Sequence, residues 1–196
     1  MTTAGGGWTL LLTVLDPTTD LPGDVGVSPF EHEQNAGTPS LTQQYGRVWN
    51  NGNGGVGLVP AAGDEIMLVR MSTSDHVRMV LNTWCGGAEW HGFQSEACGS
   101  KDLDLLGLGA GALYDKDEVR ITGDFHFHSC SHVGGCGSSG NGGDGVGFST
   151  HESWSHGGNT AYGGAYDGSP GAKMFWAGTK LAAGTDQFTY FYRESA

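Results

Sequence analysis

Apolar residues in this chain come in short runs separated by long polar and glycine-rich stretches, and the runs are of the branched and aromatic kind that forms β-strands. Residues 8–15 (WTLLLTVL) follow three glycines and predict a buried strand entered by a turn. Residues 65–71 (EIMLVRM) and 76–84 (HVRMVLNTW) predict a hairpin across the polar turn Ser72-Thr73-Ser74-Asp75. Between 118 and 127, Val119, Ile121 and alternating aromatics predict a strand that carries His126 and His128 toward one face, because side chains two apart on a strand share a face. A last strand is expected at 187–192 (QFTYFY). The remainder reads as loops: 16–57, with isolated Phe30, Tyr45 and Trp49 and one short helix near 41–45, and 134–171, where small residues dominate. There is no long amphipathic helical period and no internal repeat.

Composition narrows this picture. A chain of 196 residues suffices for one domain with a real core, expected to span 1–196. Its 36 glycines far exceed the usual share of about 7 %, yet no Gly-X-Y period accompanies them, which excludes collagen and assigns the surplus to loops and turns. Six Trp, eight Phe and six Tyr supply the aromatic surface that disordered chains lack, so the expected product is a loop-rich globule around an aromatic core. The 21 acidic against nine basic residues, a net charge of −12, repel phosphate backbones and anionic membranes and favour metal cations or neutral ligands. No nucleic acid partner is expected, and with no apolar run long enough to span a bilayer, no membrane insertion. Between 121 and 172 there is no Lys or Arg, although Asp124, Asp144, Glu152 and Asp167 fall there; a bound cation is one way to neutralise them.

The four cysteines, at 85, 98, 130 and 136, form an even set without zinc-ribbon spacing. Of the three possible pairings, the two sequence-local ones, Cys85 with Cys98 and Cys130 with Cys136, are preferred. Disulfides in an acidic, aromatic chain imply an oxidising compartment, hence a secreted or cell-surface protein whose export signal is expected upstream of this stretch.

Two ends of the chain, GGGWTLLLTV at 5–14 and FTYFYR at 188–193, resemble the first and last strands of fibrinogen-like domains and, more closely, of the intelectins or X-type lectins. Between them Ile121-Thr122-Gly123, His128, Cys130, Gly143-Asp144, Gly147-Phe148, Trp154-Ser155 and Tyr162 resemble, in order, the intelectin calcium and sugar site. The resemblance implies an α+β, loop-rich domain with short twisted β-sheets and few short helices. It also implies a calcium-dependent lectin, not an enzyme, in which His128 and Asp144 are calcium ligands and Trp154 and Tyr162 wall the exocyclic chain of a terminal vicinal diol. Two positions that supply an amide and an acid in that family are Phe125 and Phe127 here, and a glutamate between the histidine and Asp144 is missing. Glu152, in an insertion, is a candidate replacement.

The chemistry of these residues supports the same expectation. Calcium takes six to eight oxygen ligands in a forgiving geometry, which the glycine-rich run 134–147 could provide through its backbone, Asn141 and Asp144. Two positions left to water would accept adjacent sugar hydroxyls. A lone tryptophan more often belongs to a core, but Trp154 stands among His151, Glu152, Ser155 and His156, a setting that suits a ring stacked on a sugar face. A strand histidine is more often satisfied locally than a ligand; five of the eight histidines lie between 126 and 156, however, and such clustering favours metal. A rival reading takes His126, His128 and His132 as zinc ligands of a hydrolytic enzyme with Glu152 as base, and a third takes the chain as a structural or adhesion module without sugar binding. There is no GxSxG, GxxxxGK[ST] or HExxH motif. Asn50, Asn51, Asn53, Asp64 and Glu65 fit a solvated loop better than a structural calcium site, and Asp102, Asp104, Asp115 and Asp117 are expected on the surface. Because single-sugar contacts are weak, binding to microbial or cell-surface glycans would need several copies, as a homo-oligomer would supply.

Overall fold

The apolar run behind the opening glycines is a strand, β1 (Thr9–Val14), in the computed structural model, which describes residues 7–14, 41–42, 45–46, 60–84, 107–130, 145–149, 161–165, 173–181 and 186–195. The expected helix near 41–45 is replaced by a two-residue strand, β2 (Tyr45–Gly46), held extended by pairing with Thr13 and Leu12. The predicted hairpin forms between β3 (Glu65–Arg70) and β4 (Asp75–Trp84), in register from Glu65 opposite Val80 to Arg70 opposite Asp75. The histidine-bearing strand is β6 (Arg120–Cys130), and the terminal run is β11 (Phe188–Arg193).

The largest departure from expectation lies in the glycine-rich stretches. They supply β5 (Gly107–Asp115), β7 (Gly145–Ser149), β8 (Ala161–Ala165), β9 (Lys173–Trp176) and β10 (Thr179–Lys180). The expected α+β architecture is therefore corrected: the described residues contain no helix and form one antiparallel sheet in the order β10-β9-β8-β7-β6-β5-β4-β3-β11-β1-β2. Backbone pairing, not side-chain alternation, makes strands of these segments, and their small residues are what close packing demands. On β5, Gly109 stands between Phe127 and Trp84, and Gly111 between Phe125 and Leu81. A Cβ on Gly109 would lie 2.9 Å from a Leu81 methyl, and one on Gly111 would lie 2.1 Å from the Val80 carbonyl oxygen. Large neighbours cover these positions, which only glycine can occupy.

The sheet is rolled. Seven strand spacings separate β9 from β11 in the pairing order, about 34 Å if the sheet were flat at about 4.8 Å per strand. Yet the rings of Trp176 on β9 and Phe188 on β11 are 5.9 Å apart. Twist and coiling bring the far strands over one another around an aromatic filling. A cross-strand row of Phe127, Phe148 and Tyr162 lies in that interior, with Tyr162 edge-on to Trp176 at 5.3 Å.

The opposite face carries a chain of charges. Glu65 accepts from Arg193 at 2.5 Å and pairs with Arg78 at 3.2 Å, while Arg78 also binds Glu118 and lies 5.0 Å over the Tyr114 ring; Arg193 lies 4.4 Å over Trp8. This network ties β11, β3, β4 and β5 together across the sheet, with Trp8, just before β1, at its margin.

The two ends of the roll differ. At one, β3–β4, β5–β6 and β9–β10 are joined by tight turns, and the 150–160 segment links β7 to β8. From the other leave the connections 85–106, 131–144 and 166–172. Adjacent strand ends at this second end are aligned, with Cys130 opposite Gly145 and Ala165 opposite both Gly145 and Lys173.

Candidate functional site

The strand that bears the predicted histidines behaves as its alternation requires. Phe125 and Phe127 are buried in the interior, so positions 126, 128 and 130 fall on the other pleat face, in unbroken register with Ser149, Gly147 and Gly145. On the β5 side, His126 is opposite Ala110 and His128 opposite Gly107. Small residues thus flank both histidines on either side. His126 is half-buried, and that burial draws its pKa below the usual imidazole value against the opposing pull of Asp124. It is therefore neutral near pH 7, the form in which imidazole binds metals. The backbone of His128 belongs to β6, while its side chain and that of Cys130 lie outside the described residues.

Tyr162, expected as an aromatic wall, is 6 % exposed and packs against Phe125 and Trp176 in the interior. Burial raises its phenol above the ordinary value, with Asp115 adding to the shift. The ring thus occupies the face opposite to that of positions 126 and 128.

Asn141, Asp144, Glu152 and Trp154 lie outside the described residues, as do His132 and the cysteines at 85, 98 and 136. The strands still constrain where their segments begin. Gly145, which follows Asp144 in sequence, is opposite Cys130, so β7 starts level with the end of β6 that carries His128. The 150–160 segment, with Glu152 and Trp154, starts from the opposite end of β7, beyond Ser149, about 13 Å along the strand. The 166–172 segment, with Asp167, starts beside Gly145 instead. The connections 131–144 and 166–172 thus leave from one sheet end, and the connection 150–160 leaves from the other.

Two buried carboxylates have a structural role. Asp64, in the stretch weighed above for a second calcium, accepts from the Ala61 amide at 2.7 Å, the Tyr192 hydroxyl at 2.6 Å and the Ser195 amide at 2.8 Å. Asp186 accepts from Arg70 Nε, from the Ser72 hydroxyl at 2.7 Å and amide at 3.3 Å, and from the Gln187 amide at 3.0 Å. Burial pushes both carboxyls up, but these donors outweigh it and hold both below the usual carboxylate value. Their lone pairs are committed to the fold. Asp115 caps its own turn, accepting from the amides of Asp117 and Val119 at 2.9 Å each. Among the described residues no three His, Cys, Asp or Glu side chains converge on a point that could hold a metal, and no helix is long and apolar enough to cross a membrane. No protein-family model, curated protein or solved structure matches the chain.

Proposed function

We propose that this chain is a non-catalytic, calcium-dependent glycan-binding module, whose ligand engages the sheet end from which the 131–144 and 166–172 connections leave. The observation that supports the reading is the pairing of Cys130 with Gly145, which sets the start of β7 level with the strand end that bears His128. His128, Asn141 and Asp144 are the proposed calcium ligands. Asp167 is preferred to Glu152 as a second carboxylate, because its segment starts from the same end. In a segment without local cations, these acids gain by neutralising a divalent ion, and glycine-rich backbone supplies further carbonyl oxygens.

When bound, calcium offers exchangeable coordination positions that two adjacent sugar hydroxyls can fill, so the preferred ligands are terminal vicinal diols. Trp154 is proposed to stack on the sugar and must reach back from the far end of β7. Tyr162 supports β8 from within the core. The protein is read as secreted or cell-surface, with homo-oligomers supplying avidity and with neither nucleic acid nor membrane as partner.

Glycan-array binding measured with calcium and with excess EDTA tests the reading. Binding should vanish with EDTA and in Asp144→Ala, and fall further in Asp167→Ala than in Glu152→Ala. Persistence in EDTA refutes the calcium role, and absence of binding in calcium returns the chain to a structural or adhesion module.

A second reading rests on one observation: positions 126 and 128 share a pleat face, as zinc ligation by His126, His128 and His132 in a hydrolytic enzyme requires. Metal analysis of protein purified without chelator separates the two, since bound zinc is expected only for the second.

A further inference from the structure

The strand β11 is not at an edge: it lies between β1 and β3 and, among the described residues, is the sole strand that joins the β1–β2 pair to the meander from β3 to β10. It pairs along its whole length with β3, from Phe188 opposite Arg70 to Arg193 opposite Glu65, and with β1 on its other side. Phe188, Tyr190 and Tyr192 enter the interior, and Thr189 and Phe191 are buried on the other face.

The fixing interactions at both ends run between this segment and the rest of the chain. At the leading end Asp186 binds Arg70 and Ser72, and the Met71 amide donates to the Gln187 carbonyl at 2.9 Å. At the trailing end the Tyr192 hydroxyl and the Ser195 amide donate to Asp64, and Arg193 binds Glu65 and stacks on Trp8. The interactions that seat the strand therefore run from residues 186–195 to the groove walls, with Trp176 against Phe188 and Leu41 accepting from Gln187 in addition. The covalent link back to β10 passes through Ala182-Ala183-Gly184-Thr185, which carries no large or charged side chain.

We propose that the groove between β1 and β3 is a strand-receiving site and that residues 186–195 are a transferable strand, which a second copy of the chain can supply. Main-chain ladders on both sides give such a site its affinity, and the alternating side-chain pockets give it register. Exchange between copies costs little, because every hydrogen bond and packed side chain given up within one chain is restored in the other. The product is a dimer in which each copy completes the sheet of its partner. This holds whether or not the chain binds glycans.

The test uses the full chain with a protease recognition sequence replacing 182–185, its melting compared with the natural chain before cutting. After cutting, the C-terminal fragment should co-elute with the body and the β-sheet circular dichroism should persist. Excess fluorescent peptide DQFTYFYRES should replace the bound fragment near the unfolding midpoint, whereas the same peptide with Phe188→Asp should compete about tenfold or more weakly, because it buries an unpaired carboxylate. Independently, two dye-labelled populations of the natural chain, refolded together at high concentration, should yield dimers with energy transfer that survive dilution. Separation of the fragments on cutting, failure of the peptide to exchange at the midpoint, or refolding to monomers alone overturns the proposal.

Discussion

Replacing Asp186 with alanine removes an acceptor on which Arg70, the Ser72 hydroxyl and two backbone amides converge, at a carboxylate whose side chain is fully enclosed. Breaking a buried pair from one side typically costs about 3–5 kcal/mol, since the remaining charge loses its partner without regaining water. Arg70 keeps 22 % of its side chain exposed and can turn toward solvent, so the low end, about 3 kcal/mol, applies. For a domain of this size that corresponds to a fall in Tm of about 6–12 °C, readable by thermal and urea unfolding followed by circular dichroism. Asp186→Asn, which keeps the shape and one acceptor, should lose less. The pH dependence has a definite sign: the folded carboxyl titrates below its unfolded value, so its stabilisation is fully present above the unfolded pKa near 3.9 and is lost as pH falls through the folded one. The alanine variant should therefore converge on the parent in stability as the medium becomes acidic. A loss under about 1 kcal/mol at neutral pH, or a difference that does not shrink in acid, would refute the account of Asp186 as a buried clamp.

Three further outcomes follow from particular positions. Gly111→Ala should abolish soluble expression or cost more than about 3 kcal/mol, because its Cβ would collide with the Val80 carbonyl oxygen in the centre of the sheet; urea midpoints decide it. Ala177→Asn should stabilise by about 0.5–1 kcal/mol in the same assay, since Ala177 and Gly178 form a two-residue hairpin turn at φ 52° and 76°, where asparagine is tolerated better than alanine. Tyr162→Phe should leave glycan affinity within about twofold while Asp144→Ala abolishes it; a tenfold loss, about 1.4 kcal/mol, would return the Tyr162 ring to the ligand.

The apolar runs at the two ends and in the central hairpin were legible as strands because their side chains carry the signal. Leu11, Ile66 and Tyr190 are buried where alternation and β-propensity predict. The alternation of Phe125, His126 and Phe127 likewise announced which residues face inward. The strands made of Gly, Ala and Ser were not legible, since their extended form is imposed by neighbours on either side and their small size is itself the consequence of Trp84, Leu81 and Phe127 lying over them. Tyr162 illustrates the same limit: the intelectin resemblance implied a ligand wall, and its register with Phe148 directs the ring inward.

Local chemistry thus dictated, from the residues alone, an acidic, aromatic-cored chain of short strands in which positions 126 and 128 share one face, because these properties belong to single residues or to neighbours along the backbone. Which strands meet, that the sheet rolls until Trp176 reaches Phe188, that the final strand is central, and which connections share an end with His128 were settled by pairing between residues far apart in sequence. Hydrogen-bond ladders and interior packing are collective, and no stretch of chain carries them by itself.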